Sequence, residues 1–205
     1  MNLQTFNDRY LIRQAWDSWV WMLKGRRLPP PSAFKQRIIA KFAGQYNLKS
    51  MIETGTHYGD MVAAVQTQFD RVDSIEIYEP LYMKALERFA GDKNIYLHYG
   101  DSEKILPAIL AALTEPALFW LDAHYSGEGT GKGMLDTPIL KELKFILAHP
   151  LRKHVILIDD ARLFVGQDGY PSVAELRDFL DRQSPERQFV VQDDIIRIHP
   201  SESFS

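Results

Sequence analysis

The chain has 205 residues, of which 45% are hydrophobic, and its formal net charge at pH 7 is -3. This composition fits one globular domain with a full core, and the slightly acidic balance argues against a general nucleic-acid binder, whose surface would be basic. Because cysteine is absent, disulfides, thiolate zinc sites and cysteine nucleophiles are excluded. No apolar run reaches the ~20 residues of a membrane-spanning helix, and residues 1–10 lack a signal-peptide pattern. We therefore expect a cytoplasmic protein without a transmembrane segment.

A first helix is predicted over residues 11–23, where apolar side chains recur at helical spacing. Prolines 29–31 end it, because proline lacks the backbone donor that a helix needs. This helix carries Trp16, Trp19 and Trp21, and four interpretations stay open: a membrane-surface anchor, a lid over substrate, a dimer contact, or a helix packed on the domain. Its polar face is not strongly basic, which favours the packed helix or a contact in a homodimer.

A second helix is predicted from Ser32, as its N-cap, to Tyr46. From Leu48 onward strand and helix patterns alternate, which predicts a parallel sheet with right-handed crossovers and helices on both faces. The predicted elements are strand 50–53, helix 60–69, strand 72–78, helix 81–90, strand 95–98, helix 102–113, strand 117–122, helix 137–149, strand 154–159 and helix 172–182. Two β-rich runs at 188–191 and 195–199 then predict an antiparallel hairpin.

The domain organisation follows from this order of elements. We expect residues 1–46 to form an N-terminal helical extension. Residues 47–205 are expected to form an α/β domain around a mostly parallel, seven-stranded sheet with a C-terminal antiparallel hairpin.

A glycine turn separates the first strand from the next helix in residues 51–60, MIETGTHYGD. Ligands bind α/β sheets at such junctions, because glycine allows close approach to the backbone and the helix start offers unpaired N–H groups. The spacing Glu-x-Gly-x-x-x-Gly is neither a dinucleotide fingerprint nor a phosphate loop. Glu53 at the strand end favours a ligand with positive charge, such as an amino acid moiety. By itself, the turn is equally compatible with an ordinary strand-to-helix connection.

Acidic residues gather at the carboxyl ends of the predicted strands, where a parallel sheet collects its ligand-binding side chains. Two successive apolar strands end in acids, as FWLDAH and VILIDD. The residues at these strand ends are Glu53, Glu76, Glu79, Gly100, Asp101, Asp122, His124, Asp159 and Asp160. Solvated surface charge would instead be spread over the helices, so we expect a site at this edge of the sheet.

Four motifs, in this order, resemble those of class I S-adenosylmethionine-dependent methyltransferases: ETGTHYG, SIEIYEP, YGDS and WLDAH. The resemblance covers residues 48–200 and includes the terminal hairpin. It implies a three-layer, Rossmann-like methyltransferase fold, S-adenosylmethionine as cofactor and a small-molecule acceptor as substrate.

The resemblance also implies a role for eight residues in cofactor binding. The cradle for the methionine part would be formed by Glu53, Gly55, Thr56 and Gly59. Glu76 would accept hydrogen bonds from the ribose hydroxyls, since both oxygens of a carboxylate accept. Asp101 and Ser102 would contact the adenine edge, with Tyr78 near the ring. Glu76 could instead be an ordinary strand-end acid, but the cost of burying a carboxylate favours the ligand role.

Asp122, Asp159 and Asp160 form a second group of candidates. Metal-dependent O-methyltransferases that act on catechols and macrolide sugars hold magnesium with carboxylates at the ends of the fourth and fifth strands, and this sequence is similar. A divalent cation there would take oxygen ligands, orient a vicinal diol and lower the pKa of the attacking hydroxyl. Without a cation, one member of the cluster would be protonated. Asp159 and Asp160 could also simply cap the following loop.

His124, two residues after Asp122, is the candidate general base, because imidazole can be neutral and accept a proton near pH 7. The catechol-type enzymes have a lysine at the comparable position, whereas no lysine occurs between Asp122 and Lys132, so a structural role for His124 stays open. Residues 126–133, SGEGTGKG, lack the phosphate-loop spacing, and we interpret them as a flap over the substrate.

Together these features predict O-methylation of a hydroxylated small molecule or sugar, with S-adenosylmethionine as cofactor and Mg²⁺ as a second cofactor in the metal-dependent version. The alternative is a regulatory or scaffold protein that binds the cofactor, or a related nucleoside, without methyl transfer. A dehydrogenase or sugar-nucleotide enzyme is disfavoured by the glycine spacing and the hairpin. No nucleic-acid partner is expected.

Overall fold

The computed structural model describes residues 16, 18–23, 25–26, 28–122 and 138–201. The strands are β1 (Ser50–Thr54), β2 (Arg71–Glu76), β3 (Ile95–Tyr99), β4 (Ala117–Leu121), β5 (Val155–Ile158), β6 (Arg187–Gln192) and β7 (Ile195–Pro200). The helices that follow the N-terminal segment are α1 (Ser32–Gln45), α2 (Asp60–Val65), α3 (Glu79–Arg88), α4 (Ser102–Ala112), α5 (Ile139–Ala148) and α6 (Val173–Gln183). Short 3₁₀ turns cover Gln66–Gln68 and Ala161–Leu163.

The seven strands form one sheet in the order β3-β2-β1-β4-β5-β7-β6. Strands β1 to β5 pair in parallel, and β7 runs antiparallel to both β5 and β6. The predicted α/β fold, with its mostly parallel seven-stranded sheet and terminal hairpin, is confirmed. The strand order reverses between β1 and β4, and such a reversal opens a crevice at the carboxyl ends of the strands.

Two apolar layers hold the helices against the sheet, because successive side chains of a strand point to opposite faces. One layer joins α4, α5 and α6 to residues such as Ile52 and Phe119. The other joins α1, α2 and α3 to residues such as Met51 and Trp120. Helix α1 contributes Ile39 to this second layer, so the predicted extension shares the core of the sheet domain. The domain boundary after residue 46 stays a prediction.

The predicted N-cap at Ser32 is wrong. Pro31 holds the N-cap position and Ser32 is the first residue of α1, which has no side-chain cap. The carbonyl of Pro31 accepts hydrogen bonds from the amides of Phe34 and Lys35 at 2.8 and 3.3 Å. Pro31 has the extended backbone of an N-cap residue, with φ of -59° and ψ of 146°, and the helix begins directly after it.

Residues 18–23 are helical, within the first predicted helix. Trp21 is buried, and its ring centroid lies 4.7 Å from that of Phe34 in α1. This side chain is therefore packed on the domain. Trp16 and Trp19 are 60% and 52% exposed, so the aromatic side chains of this segment divide between the core and the surface. Within the described ranges, none of the helices combines the length and apolar character needed to cross a bilayer.

Candidate functional site

The glycine turn between β1 and α2 depends on two positive-φ glycines, Gly55 at 90° and Gly59 at 75°. A Cβ atom at Gly59 would lie 2.6 and 2.9 Å from two ring atoms of Phe89, so both the backbone conformation and the packing require glycine there. The amides of Gly55 and Thr56 donate to the carbonyl of Ile75 at 2.9 and 3.2 Å. The turn is thereby fixed to β2.

Glu76 is buried at the end of β2. Its Oε2 accepts a hydrogen bond from the amide of His57 at 2.7 Å, and its Oε1 accepts one from the amide of Tyr78 at 2.8 Å. Each carboxylate oxygen has a second lone pair, so these bonds orient the group without using up its capacity as an acceptor. A ligand with two neighbouring hydroxyls matches such a group.

Glu53 is buried at the end of β1, and its Oε2 accepts a hydrogen bond of 2.5 Å from the Ser74 hydroxyl. That hydroxyl also bonds to Oγ1 of Thr56 at 2.6 Å. Burial raises the pKa of Glu53 to about 8, although the Ser74 bond opposes the shift. A cationic ligand beside this carboxyl would favour the ionised form, which makes Glu53 a suitable partner for an ammonium group.

Asp101 and Ser102 lie where β3 leads into α4. Asp101 is the N-cap of α4 and accepts a hydrogen bond of 3.0 Å from the amide of Glu103, while Ser102 is buried. The amide of Gly100 donates to the carbonyl of Glu76 at 2.9 Å. This bond brings the exit of β3 beside the end of β2.

Glu142 on α5 is a buried acid near this edge that the sequence interpretation missed. Burial raises its pKa to about 7, and the hydroxyls of Ser102 and Thr54 partly offset the shift. The sequence feature that could have indicated its burial is its place in the apolar pattern of α5, where Ile139, Leu143 and Ile146 are all buried.

The predicted cluster of three aspartates forms at the ends of β4 and β5. One carboxylate oxygen from each of Asp122, Asp159 and Asp160 lies within 4.8 Å of the others. The backbone ladder sets this arrangement, since the Asp122 amide donates to the Thr54 carbonyl and the Asp159 amide to the Leu121 carbonyl, both at 3.0 Å. Asp159 Oδ1 also accepts from the Asp160 amide at 2.8 Å, which is a contact of the kind the loop-capping alternative requires.

A lysine from α1 lies against this cluster, and the sequence interpretation missed it. Lys35 Nζ is 2.5 Å from Asp159 Oδ2 and 3.2 Å from Asp160 Oδ1. The sequence feature that could have indicated this contact is the helical spacing of Lys35 with the buried residues Ile38, Ile39 and Phe42. This spacing places Lys35 on the inward side of the helix.

The charged groups of the cluster shift one another's pKa values. Burial lowers the pKa of Lys35, but the attraction of the three aspartates outweighs it, so the pKa is raised. Burial raises the pKa of Asp159 to about 7; Asp122 adds to this shift, and Lys35 opposes it. Asp160 Oδ1 also accepts from Arg162 Nη1 at 2.7 Å, and Arg162 pairs in turn with Asp194.

The structure brings together all the predicted site residues that it describes at the carboxyl edge of the sheet. His124 and residues 126–133 lie outside the described residues, so the general base and the flap stay predictions. The assignments to cofactor, metal and catalysis likewise remain predictions.

No protein-family model and no curated protein sequence matches the chain. The chain is similar in structure to TomG from Streptomyces achromogenes, an O-methyltransferase involved in tomaymycin synthesis, which was solved in complex with SAM. The two share 15% identity with a TM-score of 0.60, and the match covers 92% of this chain and 89% of that one. An O-methyltransferase from Bacillus cereus in complex with SAH has 16% identity, a TM-score of 0.59 and coverage of 88% and 87%. An SAH-bound methyltransferase from Podospora anserina has 18% identity, a TM-score of 0.56 and coverage of 98% and 97%.

Identities this low carry the fold and nothing finer. The fold is the Rossmann-like fold of class I S-adenosylmethionine-dependent methyltransferases.

Proposed function

We propose that this chain is an S-adenosylmethionine-dependent methyltransferase that methylates an oxygen of a hydroxylated small molecule or sugar. The observation that carries the proposal is the pair of buried carboxyl groups, Glu53 and Glu76, on either side of a glycine turn at the switch point of the sheet. One suits an ammonium group and the other a diol. The cofactor contains both groups, separated by the chain that carries its sulfonium sulfur.

The residues present fit this cofactor. Glu53 would hold the methionine ammonium, next to the turn formed by Gly55, Thr56 and Gly59. Glu76 would accept the ribose hydroxyls through the lone pairs that the amides of His57 and Tyr78 leave available. Tyr78, Asp101 and Ser102 follow the ends of β2 and β3 and would border the adenine.

The acceptor is proposed to bind beside the aspartate cluster, because β4 lies next to β1 in the sheet. The cofactor supplies an electrophilic methyl group when bound. The protein would contribute mainly by positioning, since holding two reactants in line removes much of the entropic cost of their encounter. Asp122 and His124 are proposed to assist the loss of the acceptor proton.

Two cations are candidates for the aspartate cluster, a magnesium ion and the ammonium of Lys35. Three carboxylate oxygens within 4.8 Å of one another are a suitable donor set for Mg²⁺, which supports the metal-dependent version. Lys35 is a second cation in contact with two of the same aspartates, which supports a version without metal.

Two further predictions concern assembly and location. The exposed Trp16 and Trp19 support a homodimer through the N-terminal aromatic segment, since neighbouring exposed aromatic side chains favour association. A cytoplasmic location rests on the sequence alone.

Methyl transfer can be tested with methyl-labelled S-adenosylmethionine and a panel of catechols, flavonoids and sugars with vicinal hydroxyls. The proposal predicts release of S-adenosylhomocysteine together with a new O-methyl signal in the product. Glu87, an exposed acid on α3, provides the control variant Glu87→Gln, which should retain activity when Glu76→Gln loses it. Cofactor binding without turnover on any acceptor would instead favour the regulatory or scaffold alternative.

A further inference from the structure

The aspartate cluster already contains a cation that belongs to the chain. Lys35 Nζ contacts Asp159 Oδ2 at 2.5 Å and Asp160 Oδ1 at 3.2 Å. The lysine side chain is 13% exposed, and the aspartate side chains are 3% and 11% exposed. An ion pair this well buried differs from a surface pair, because solvent and salt screen it far less.

The position of this lysine is built into the fold. Helix α1 is anchored to the sheet by Ile39 and Phe42, both in the apolar layer that also contains Trp120 and Leu157. Lys35 lies one turn before Ile39 on the same helix. The stem of the side chain is therefore directed across the carboxyl ends of β4 and β5 by packing, and the ammonium reaches the aspartates from outside the sheet.

The ammonium and a divalent metal ion would compete for the same two aspartates, Asp159 and Asp160. Mg²⁺ binds carboxylate oxygens at about 2.0–2.1 Å, so an ion on Asp159 Oδ2 would lie next to the ammonium and be repelled by it. The other Asp159 oxygen accepts from the Asp160 amide, and Asp160 Oδ1 is shared between Lys35 and Arg162. A metal ion bound through Asp159 Oδ2 or Asp160 Oδ1 would take an oxygen that Lys35 contacts.

We propose that Lys35 is the resident cation of the aspartate cluster, that its ammonium takes the place of a divalent metal ion, and that it excludes such an ion from the site. An ammonium has three N–H donors, and the contacts with Asp159 and Asp160 account for two of them. The third donor provides a hydrogen bond for an acceptor oxygen, the task that a metal would otherwise perform. This last step rests on the proposed methyltransferase function, whereas the exclusion of metal does not.

The test is a titration with Mn²⁺ that is monitored by calorimetry and by the electron paramagnetic resonance signal of free Mn²⁺. Lys35→Met removes the ammonium and keeps a side chain of similar length. We expect it to bind Mn²⁺ at least about tenfold more tightly than the wild type, because one positive charge a few ångströms away is lost. Lys41→Met is the matched control, since Lys41 is an exposed lysine of the same helix, and it should leave the affinity unchanged.

A double variant tests whether the metal binds in the aspartate cluster. Adding Asp159→Asn to Lys35→Met should abolish the gained affinity, which places the metal in the cluster. Equal Mn²⁺ affinity of the wild type and Lys35→Met, whether tight or weak, would overturn the proposal. Should Lys35→Met not fold, Mn²⁺ binding by the wild type in the micromolar range would overturn it alone, and absence of such binding would support it.

S-adenosylhomocysteine binding by the same samples reports on the methyltransferase proposal independently. The metal result therefore stands or falls separately from that proposal.

Discussion

The backbone amide of His57 donates a hydrogen bond of 2.7 Å to Oε2 of Glu76. This contact joins the glycine turn after β1 to the acid at the end of β2, two features that lie 19 residues apart in the chain. The amide of Tyr78 holds the other oxygen at 2.8 Å. The carboxylate is therefore positioned by the backbone before any ligand arrives.

Replacing Glu76 should weaken cofactor binding strongly. In Glu76→Gln an NH₂ group faces one of the two backbone amides, so one buried donor loses its partner at a cost of about 1–3 kcal/mol, and one acceptor for a ribose hydroxyl disappears. We expect a loss of affinity for S-adenosylhomocysteine of roughly tenfold to a hundredfold. Thermal-shift titration measures it, and unchanged affinity would show that Glu76 does not contact the ligand.

Alanine at Gly59 should destabilise the protein. The residue has a φ of 75°, which costs other residues about 1–2 kcal/mol, and its new Cβ would press on Phe89 at 2.6 Å. Gly44 in α1 is the control, since a Cβ there meets nothing within 4 Å, and Gly44→Ala should be neutral or stabilising by up to about 1 kcal/mol. Urea unfolding compares them, and equal effects would contradict the described turn.

Cofactor binding should release a proton at pH 7. Glu53 is mostly protonated there in the free protein because burial raises its pKa to about 8, whereas an adjacent ligand ammonium favours the carboxylate. The calorimetric enthalpy of S-adenosylhomocysteine binding should thus differ between phosphate and Tris buffers, whose ionisation enthalpies differ. Glu53→Gln should remove the difference. Equal enthalpies for the wild type in both buffers would place the ligand ammonium elsewhere.

The stability of the fold should fall in mild acid because of His154. Its Nδ1 accepts from the Ala117 amide at 3.0 Å, and burial lowers its pKa from 6.5 to about 3. Between these values the unfolded state binds the extra proton, so the free energy of unfolding decreases as pH falls, by up to about 1.4 kcal/mol per pH unit.

His154→Asn offers the Ala117 amide an acceptor and does not titrate, so its stability should depend less on pH. Urea unfolding of both proteins at about pH 7 and pH 5 measures the two slopes. Identical slopes would mean that His154 is not the group responsible.

Removal of divalent metal should leave methyl transfer unchanged. Lys35 already supplies a cation to Asp159 and Asp160, so chelation with EDTA should not alter turnover once an acceptor has been found. The matched assay with added Mg²⁺ should show no gain. A loss of activity in EDTA that Mg²⁺ restores would favour the metal-dependent version.

The sheet and the acids at its carboxyl edge were predictable because they depend on local patterns. Apolar runs such as VILI in β5, each followed by acids, indicate buried parallel strands that end at one edge. Asp122 and Asp159 could be placed together without coordinates, since neighbouring parallel strands end side by side. The terminal hairpin followed from two β-rich runs separated by a short turn.

The missed features depend on packing between distant elements. Lys35 meets Asp159 across 124 positions of sequence, and which side of α1 faces the cluster is decided by its packing on the sheet. Glu142 shows the same limit, because its pKa depends on burial and on contacts with Ser102 of α4 and Thr54 of β1. At Ser32 a local rule failed, since Pro31 itself ends the extended chain and starts the helix.

The most direct test of the central claim is calorimetric titration of the wild-type protein with S-adenosylhomocysteine and S-adenosylmethionine. The pocket formed by Glu53, Glu76 and the glycine turn predicts one bound molecule per chain, with a dissociation constant of roughly micromolar order. Absence of binding by either compound at about millimolar concentration would contradict the claim and leave a methyltransferase fold without its cofactor.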